Sequence, residues 1–192
     1  MINPFKHYKK ILEEYLHSKT IPFLENAWNE PHRKYHSINH LNEILEYIEQ
    51  NFNVHTIDYD SLILAAFFHD CYYNPRDNKN NENESIKRFL SSFKQNNYRI
   101  RNAVVEMIES TKYRKVPTNY LTRMFWGADN AGFSKGYEKL LKNEKLIHQE
   151  FIHLPKKIYK KGRISFLKTN IGLFNSSVDK DLNKLIEYIK VS

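Results

Sequence analysis

The run Leu62–Phe68 is apolar at every position and ends directly on His69-Asp70. Seven consecutive apolar residues leave no face for solvent, so this segment has to be a buried element, expected as a helix. Two of the strongest metal-binding side chains in the chain therefore stand where water is excluded. A carboxylate removed from water needs a cation or several donors to stay ionised. Upstream, His40 opens an amphipathic segment, and downstream Asp129 closes another, so His, His, Asp and Asp fall on three expected helices. Imidazole combined with carboxylate suits borderline and hard divalent ions.

Apolar residues recur at helical spacing through most of the chain, as in Phe5, Tyr8, Ile11, Leu12 and Tyr15, and in Leu41, Ile44, Leu45 and Ile48. Further helices are predicted near 20–28, 58–71, 82–94, 98–112, 118–130, 133–153 and 178–190. The fold expected is all-α, a single domain over residues 1–192 with the metal site between central helices. A chain of this size buries about two-thirds of its unfolded surface in one core. Residues 74–84 are poor in apolar side chains and rich in turn formers, and read as a loop just after the His-Asp pair. The sequence has no glycine-rich phosphate loop, no strand–helix alternation and no paired CxxC clusters.

Thirty Lys and Arg against twenty-two Asp and Glu give a formal charge of +8, a field that attracts anions. The basic residues are spread out, with one dense cluster at Lys156-Lys157 and Lys160-Lys161. A small phosphate-bearing ligand is the partner expected, with nucleic acid less favoured. No apolar stretch approaches the ~20 residues of a membrane span. The first six residues lack the pattern of a signal peptide, and the single cysteine, Cys71, suits a reducing compartment, so a cytoplasmic location is expected.

Around the metal set, Ser37 or Asn39 can cap a helix start and place His40 in its first turn. His36, four positions earlier, either shares that face as a second histidine of a clip or lies in the preceding loop. There it forms an anion pocket with Arg33 and Tyr35, where arginine offers a forked donor and histidine a proton. Glu84 stands at the start of a predicted helix with Glu82 as its neighbour; either carboxylate is also favoured there by the helix dipole alone. Lys112, Arg114 and Arg163 are candidate phosphate clamps.

Five segments carry a resemblance: Arg33–Leu41, Ala65–Pro75, Asn83–Ser85, Ala128-Asp129 and Lys161–Arg163. In this order the chain resembles the HD superfamily of metal-dependent phosphohydrolases, and within it a bacterial branch of small HD phosphohydrolases. The resemblance implies an HD-type helical bundle in which His40, His69, Asp70 and Asp129 bind the ion. It also implies that Asp70 accepts a proton, and that Glu84 orients a water or shuttles its proton. Arg33, Tyr35, His36, Lys112 and Arg163 then bind substrate, with His36 also serving catalysis. A metal-activated water attacks phosphorus in a nucleotide or other small phosphate ester. Two positions depart from the pattern: Tyr113 stands where relatives carry another histidine, and Gly127 where they carry an acid. A phenol of pKa near 10 is a poor ligand, so one divalent ion per chain is expected, drawn from Mn, Co, Ni, Fe, Zn or Mg. The alternative is an HD domain with weakened catalysis that binds a nucleotide or nucleic acid.

Overall fold

The apolar run lies at the centre of a helical bundle. The computed structural model describes residues 3–52, 56–77, 79–112 and 115–192. Its helices are α1 (Pro4–His7), α2 (Lys9–Tyr15), α3 (Thr20–Trp28), α4 (Ile38–Asn51), α5 (Ile57–Phe68) and α6 (Asn81–Ser92). They continue as α7 (Tyr98–Ser110), α8 (Tyr120–Asp129), a 3-10 segment Ala131–Lys135, α9 (Tyr137–Glu150), α10 (Lys156–Asn170) and α11 (Ser176–Val191). The architecture is all-α.

Helix α5 shows why the centre is well defined. Thr56 caps its start by accepting from the Tyr59 N–H, and Asp58 and Asp60 complement the dipole in the first turn. From Ser61 through Phe68 every side chain is buried, because neighbouring helices cover all faces. Asn119 likewise caps α8 by accepting from the Leu121 and Thr122 N–H groups, which fixes the start of the helix that ends on Asp129.

Two apolar clusters result. The larger is built from α1 to α8 and contains Leu12, Trp28, Leu41, Ile44, Phe67, Phe68, Phe89 and Phe125. The smaller joins Leu140 of α9 and Leu167 of α10 to Val178, Leu182, Leu185 and Ile189 of α11. Among the described residues no helix is long and apolar enough to cross a membrane.

Several boundaries differ from expectation. The helix predicted near 133–153 is broken at Gly136, whose φ of 83° lies in the left-handed region that favours glycine. Helix α10 was not among the predicted helices; its lysines dominate the pattern, yet Tyr159, Leu167 and Asn170 are buried. The segment from Phe5 to Tyr15 forms two helices that meet at Tyr8. The loop expected over 74–84 gives way to α6 at Asn81, whose amide closes it by accepting from the Asn74 N–H at 2.9 Å. Asn78 lies outside the described residues.

Candidate metal centre

Helix α5 ends one residue before the chemistry. His69 occupies its C-cap with helical backbone angles, and its Nδ1 lies 2.9 Å from the Ala66 carbonyl. A carbonyl only accepts, so Nδ1 carries a hydrogen and Nε2 is the nitrogen turned to the carboxylates, where it holds a proton or, with an ion in the proton's place, offers its lone pair. That atom is fully buried and has no hydrogen-bond partner. Around it stand Asp70 Oδ2 at 3.2 Å and Asp129 Oδ1 at 3.7 Å, the former without the angle of a hydrogen bond. His40 Nε2 lies 3.3 Å from the same Asp129 oxygen.

His40, His69 and Asp129 each offer one ligand atom within 4.8 Å of the other two. Ligands bound at metal–nitrogen or metal–oxygen distances of ~2.0–2.2 Å lie about 3–3.5 Å apart, so the spacing is close to that of a coordination sphere. The donor set and the unpartnered Nε2 fit a divalent ion. Asp70 adds a second carboxylate from the His69 side. His40 comes from the first turn of α4, with Ser37 at the N-cap, although the Ser37 hydroxyl makes no capping bond. Packing fixes the His69 ring, with Trp28 at 5.5 Å and Phe125 at 5.7 Å between ring centres.

The electrostatics favour positive charge between the two carboxylates, as a proton or as a metal ion. Burial works against a charged His69, but the carboxylates of Asp70 and Asp129 outweigh it and raise the imidazole to about 9. Burial likewise works against charge on Asp70 and Asp129, yet both are held below the usual carboxylate range. His69 is the main cause for Asp70, and His40 with His69 for Asp129.

Beside the triad, the loop before α4 is organised by an acid that its sequence context does not mark. Glu150, the last residue of α9, accepts with Oε1 from the backbone N–H groups of Lys34, Tyr35 and His36 at 2.8, 2.8 and 2.9 Å. Its Oε2 lies 2.7 Å from His36 Nδ1 and accepts from the Tyr73 hydroxyl at 2.8 Å. Burial disfavours its charge, but these donors, His36 first, hold its carboxyl at about 2.

Arg33 is placed differently from expectation. Its side chain is fully buried rather than at the pocket wall. The guanidinium donates to Glu30 at 2.9 Å, to the His36 carbonyl at 3.2 Å and to the Asp70 carbonyl at 2.7 Å, between the rings of Trp28 and Tyr73. Donors committed in this way brace the His-Asp pair from behind; they do not reach a ligand.

The triad opens onto a cavity of about 540 Å³. Tyr35 and His36 line it, as expected, together with Asp70. At α6 it is Glu82 that faces the cavity; Glu84 points along the helix surface and pairs with Lys87 at 2.6 Å. The two are separated by about 200° around a helix, so only one can face the site. Lys112 donates to Asn83 and does not line the cavity, whereas its neighbour Thr111 does. Tyr113 and Arg114 lie outside the described residues. Arg163 is at the wall, with Nε donating at 2.6 Å to Glu144, which also accepts from Tyr159. At Gly127 a Cβ would lie 3.0 Å from the Tyr47 hydroxyl, so a side chain there needs the Tyr47 ring to give by a few tenths of an ångström. Comparison with family models, with curated proteins and with solved structures finds no match for this chain.

Proposed function

We propose that this chain is a metal-dependent phosphohydrolase of the HD type, acting on a nucleotide or another small phosphate ester in the cavity beside His69. The observation that carries the reading is the buried, unpartnered Nε2 of His69, set between two carboxylates and the imidazole of His40. His40, His69 and Asp129 would hold one divalent ion, with Asp70 beside them. When bound, such an ion neutralises phosphoryl charge and activates water at neutral pH.

The remaining steps belong to the side chains. Glu150 engages His36 at Nδ1, which leaves His36 Nε2 to exchange a proton with the attacking water or the departing alcohol. Tyr73 holds the same carboxylate from its other side, and its ring stacks on His36 at 4.3 Å, so the imidazole keeps one orientation. Asp70 and Glu82 offer further carboxylates for orienting water. Arg33 acts indirectly, through the backbone carbonyl of Asp70 and the loop that carries His36.

The test is a phosphate-release screen over nucleotides and simple phosphate esters, with each divalent metal in turn, alongside elemental analysis of the purified protein. Release that depends on added metal, with about one ion per chain, is the expected result. Ligand binding without release under any metal would transfer the reading to a binding module. A chain that takes up no metal would end both.

A further inference from the structure

The cavity is lined by two unlike sets of side chains. Beside the imidazoles and carboxylates of the candidate metal centre it is lined by Phe133, Leu140, Ile147, Phe151, Leu154 and Ile158, with Asn143, Tyr159 and Arg163 among them. Asn143 stands between Leu140 and Ile147 on the same face of α9, and other polar groups nearby are engaged. Arg163 Nε and the Tyr159 hydroxyl both donate to Glu144, and the Asn130 amide donates to the Trp126 carbonyl. Ile158, in the first turn of α10, is 57% exposed although it lines the cavity, and Ile152, in the turn between α9 and α10, is 79% exposed. Phe151, Leu154 and Ile158 keep part of their apolar surface open, and such a surface beside a site for an anion is suited to a ligand that is charged at one end and apolar at the other.

We infer that the substrate is a phosphate monoester whose esterified alcohol carries a sizeable, mainly apolar group, seated against the wall formed by α9, α10 and the turn between them. This rests on the phosphohydrolase reading and narrows it. The phosphate sits at the metal end, and hydrolysis breaks its ester bond with water, releasing inorganic phosphate and the apolar alcohol. A hydroxyl-rich alcohol would lose water against Leu140, Ile147 and Phe151 for fewer new partners than it gives up, which discriminates against it.

The experiment compares 2-phenylethyl phosphate with glycerol phosphate and a nucleoside monophosphate, in metal-loaded protein. The phenylethyl ester is expected to exceed glycerol phosphate in kcat/KM by on the order of tenfold or more. Ile158→Asn, a change at an exposed helix position, is expected to bring that ratio severalfold closer to one, with metal content and helical signal as in the parent. If phosphate is released but glycerol phosphate or the nucleotide is preferred, the inference is overturned and the hydrolase reading stands. If no ester is cleaved, the hydrolase reading fails, and calorimetry with 3-phenylpropylphosphonate against methylphosphonate decides the inference separately. Binding at least tenfold tighter for the phenylpropyl compound supports it; equal binding overturns it.

Discussion

The two apolar clusters do different work. The larger is organised around a helix buried on all sides, and every residue of the candidate metal set is carried by it: His40 on α4, His69 and Asp70 at the end of α5, Asp129 at the end of α8. The smaller is made from amphipathic helices rich in lysine, and Phe133, Leu140 and Phe166 of it line the cavity, which α9 and α10 extend with Ile147, Phe151 and Ile158. Charges that must converge within a few ångströms need a backbone held by close packing, and helix ends projecting from a dense core provide it. An apolar wall needs only shape, which partly exposed side chains on amphipathic helices can give. Two buried acids of α9 serve the region between: Glu150 holds the His36 loop of the larger unit, and Glu144 holds Arg163 of the smaller.

The sharpest way to break this division is within the larger cluster. His69→Ala removes the buried imidazole and leaves Asp70 and Asp129 facing each other without it. Metal content should fall to background and phosphate release should vanish. Loss of one partner from a buried charged set costs about 3–5 kcal/mol in stability, readable in urea unfolding. A variant that retains metal and turnover would show that the triad is not the centre.

At the junction between the clusters, Glu150→Gln keeps the shape but replaces an acceptor oxygen by an NH2 group facing donors. A destabilisation of about 3 kcal/mol is expected, since a carboxyl held at about 2 instead of its ordinary 4.5 is worth roughly that amount. The sign fixes the pH window. Because the folded value is the lower one, the contribution is complete above about 4.5 and fades as pH falls towards about 2. Unfolding of parent and variant should therefore differ most near neutral pH and converge in acid. A difference that stays constant across that range would mean Glu150 is not the charged anchor.

Arg33→Lys tests the brace behind the His-Asp pair. One ammonium cannot span Glu30 and the carbonyls of His36 and Asp70, so a loss of about 1–2 kcal/mol is expected in thermal unfolding. Turnover should fall with metal content largely kept, because Arg33 touches backbone and not ligand atoms.

The smallest contrast lies on α6. Glu84→Gln should change stability by no more than about 0.5 kcal/mol, as expected of an exposed ion pair. Glu82→Gln should lower turnover by on the order of tenfold or more. The reverse ranking in steady-state kinetics would place Glu84 at the site after all.

Periodicity and composition were enough to read the all-α class and the central position of α5, because a continuous apolar run leaves no face for solvent; the grouping of His40, His69 and Asp129 was read from their order along the chain and the resemblance that order carries. Tertiary packing decided the rest. Whether Glu82 or Glu84 faces the cavity depends on the phase of α6, which the turn closed by Asn81 sets. Arg33 reads as a ligand-binding cation in a sequence; only the enclosing rings of Trp28 and Tyr73 and four acceptors, Glu30 and the carbonyls of His36, Asp70 and Cys71, turn it inward. Helix α10 is masked by its lysines until Tyr159 and Leu167 find partners on α9 and α11. Glu150 carries no mark in its own neighbourhood, since the amides it binds lie more than a hundred residues away along the chain. Local pattern specifies which segments must be buried; the partners of a buried charge are a property of the folded space around it.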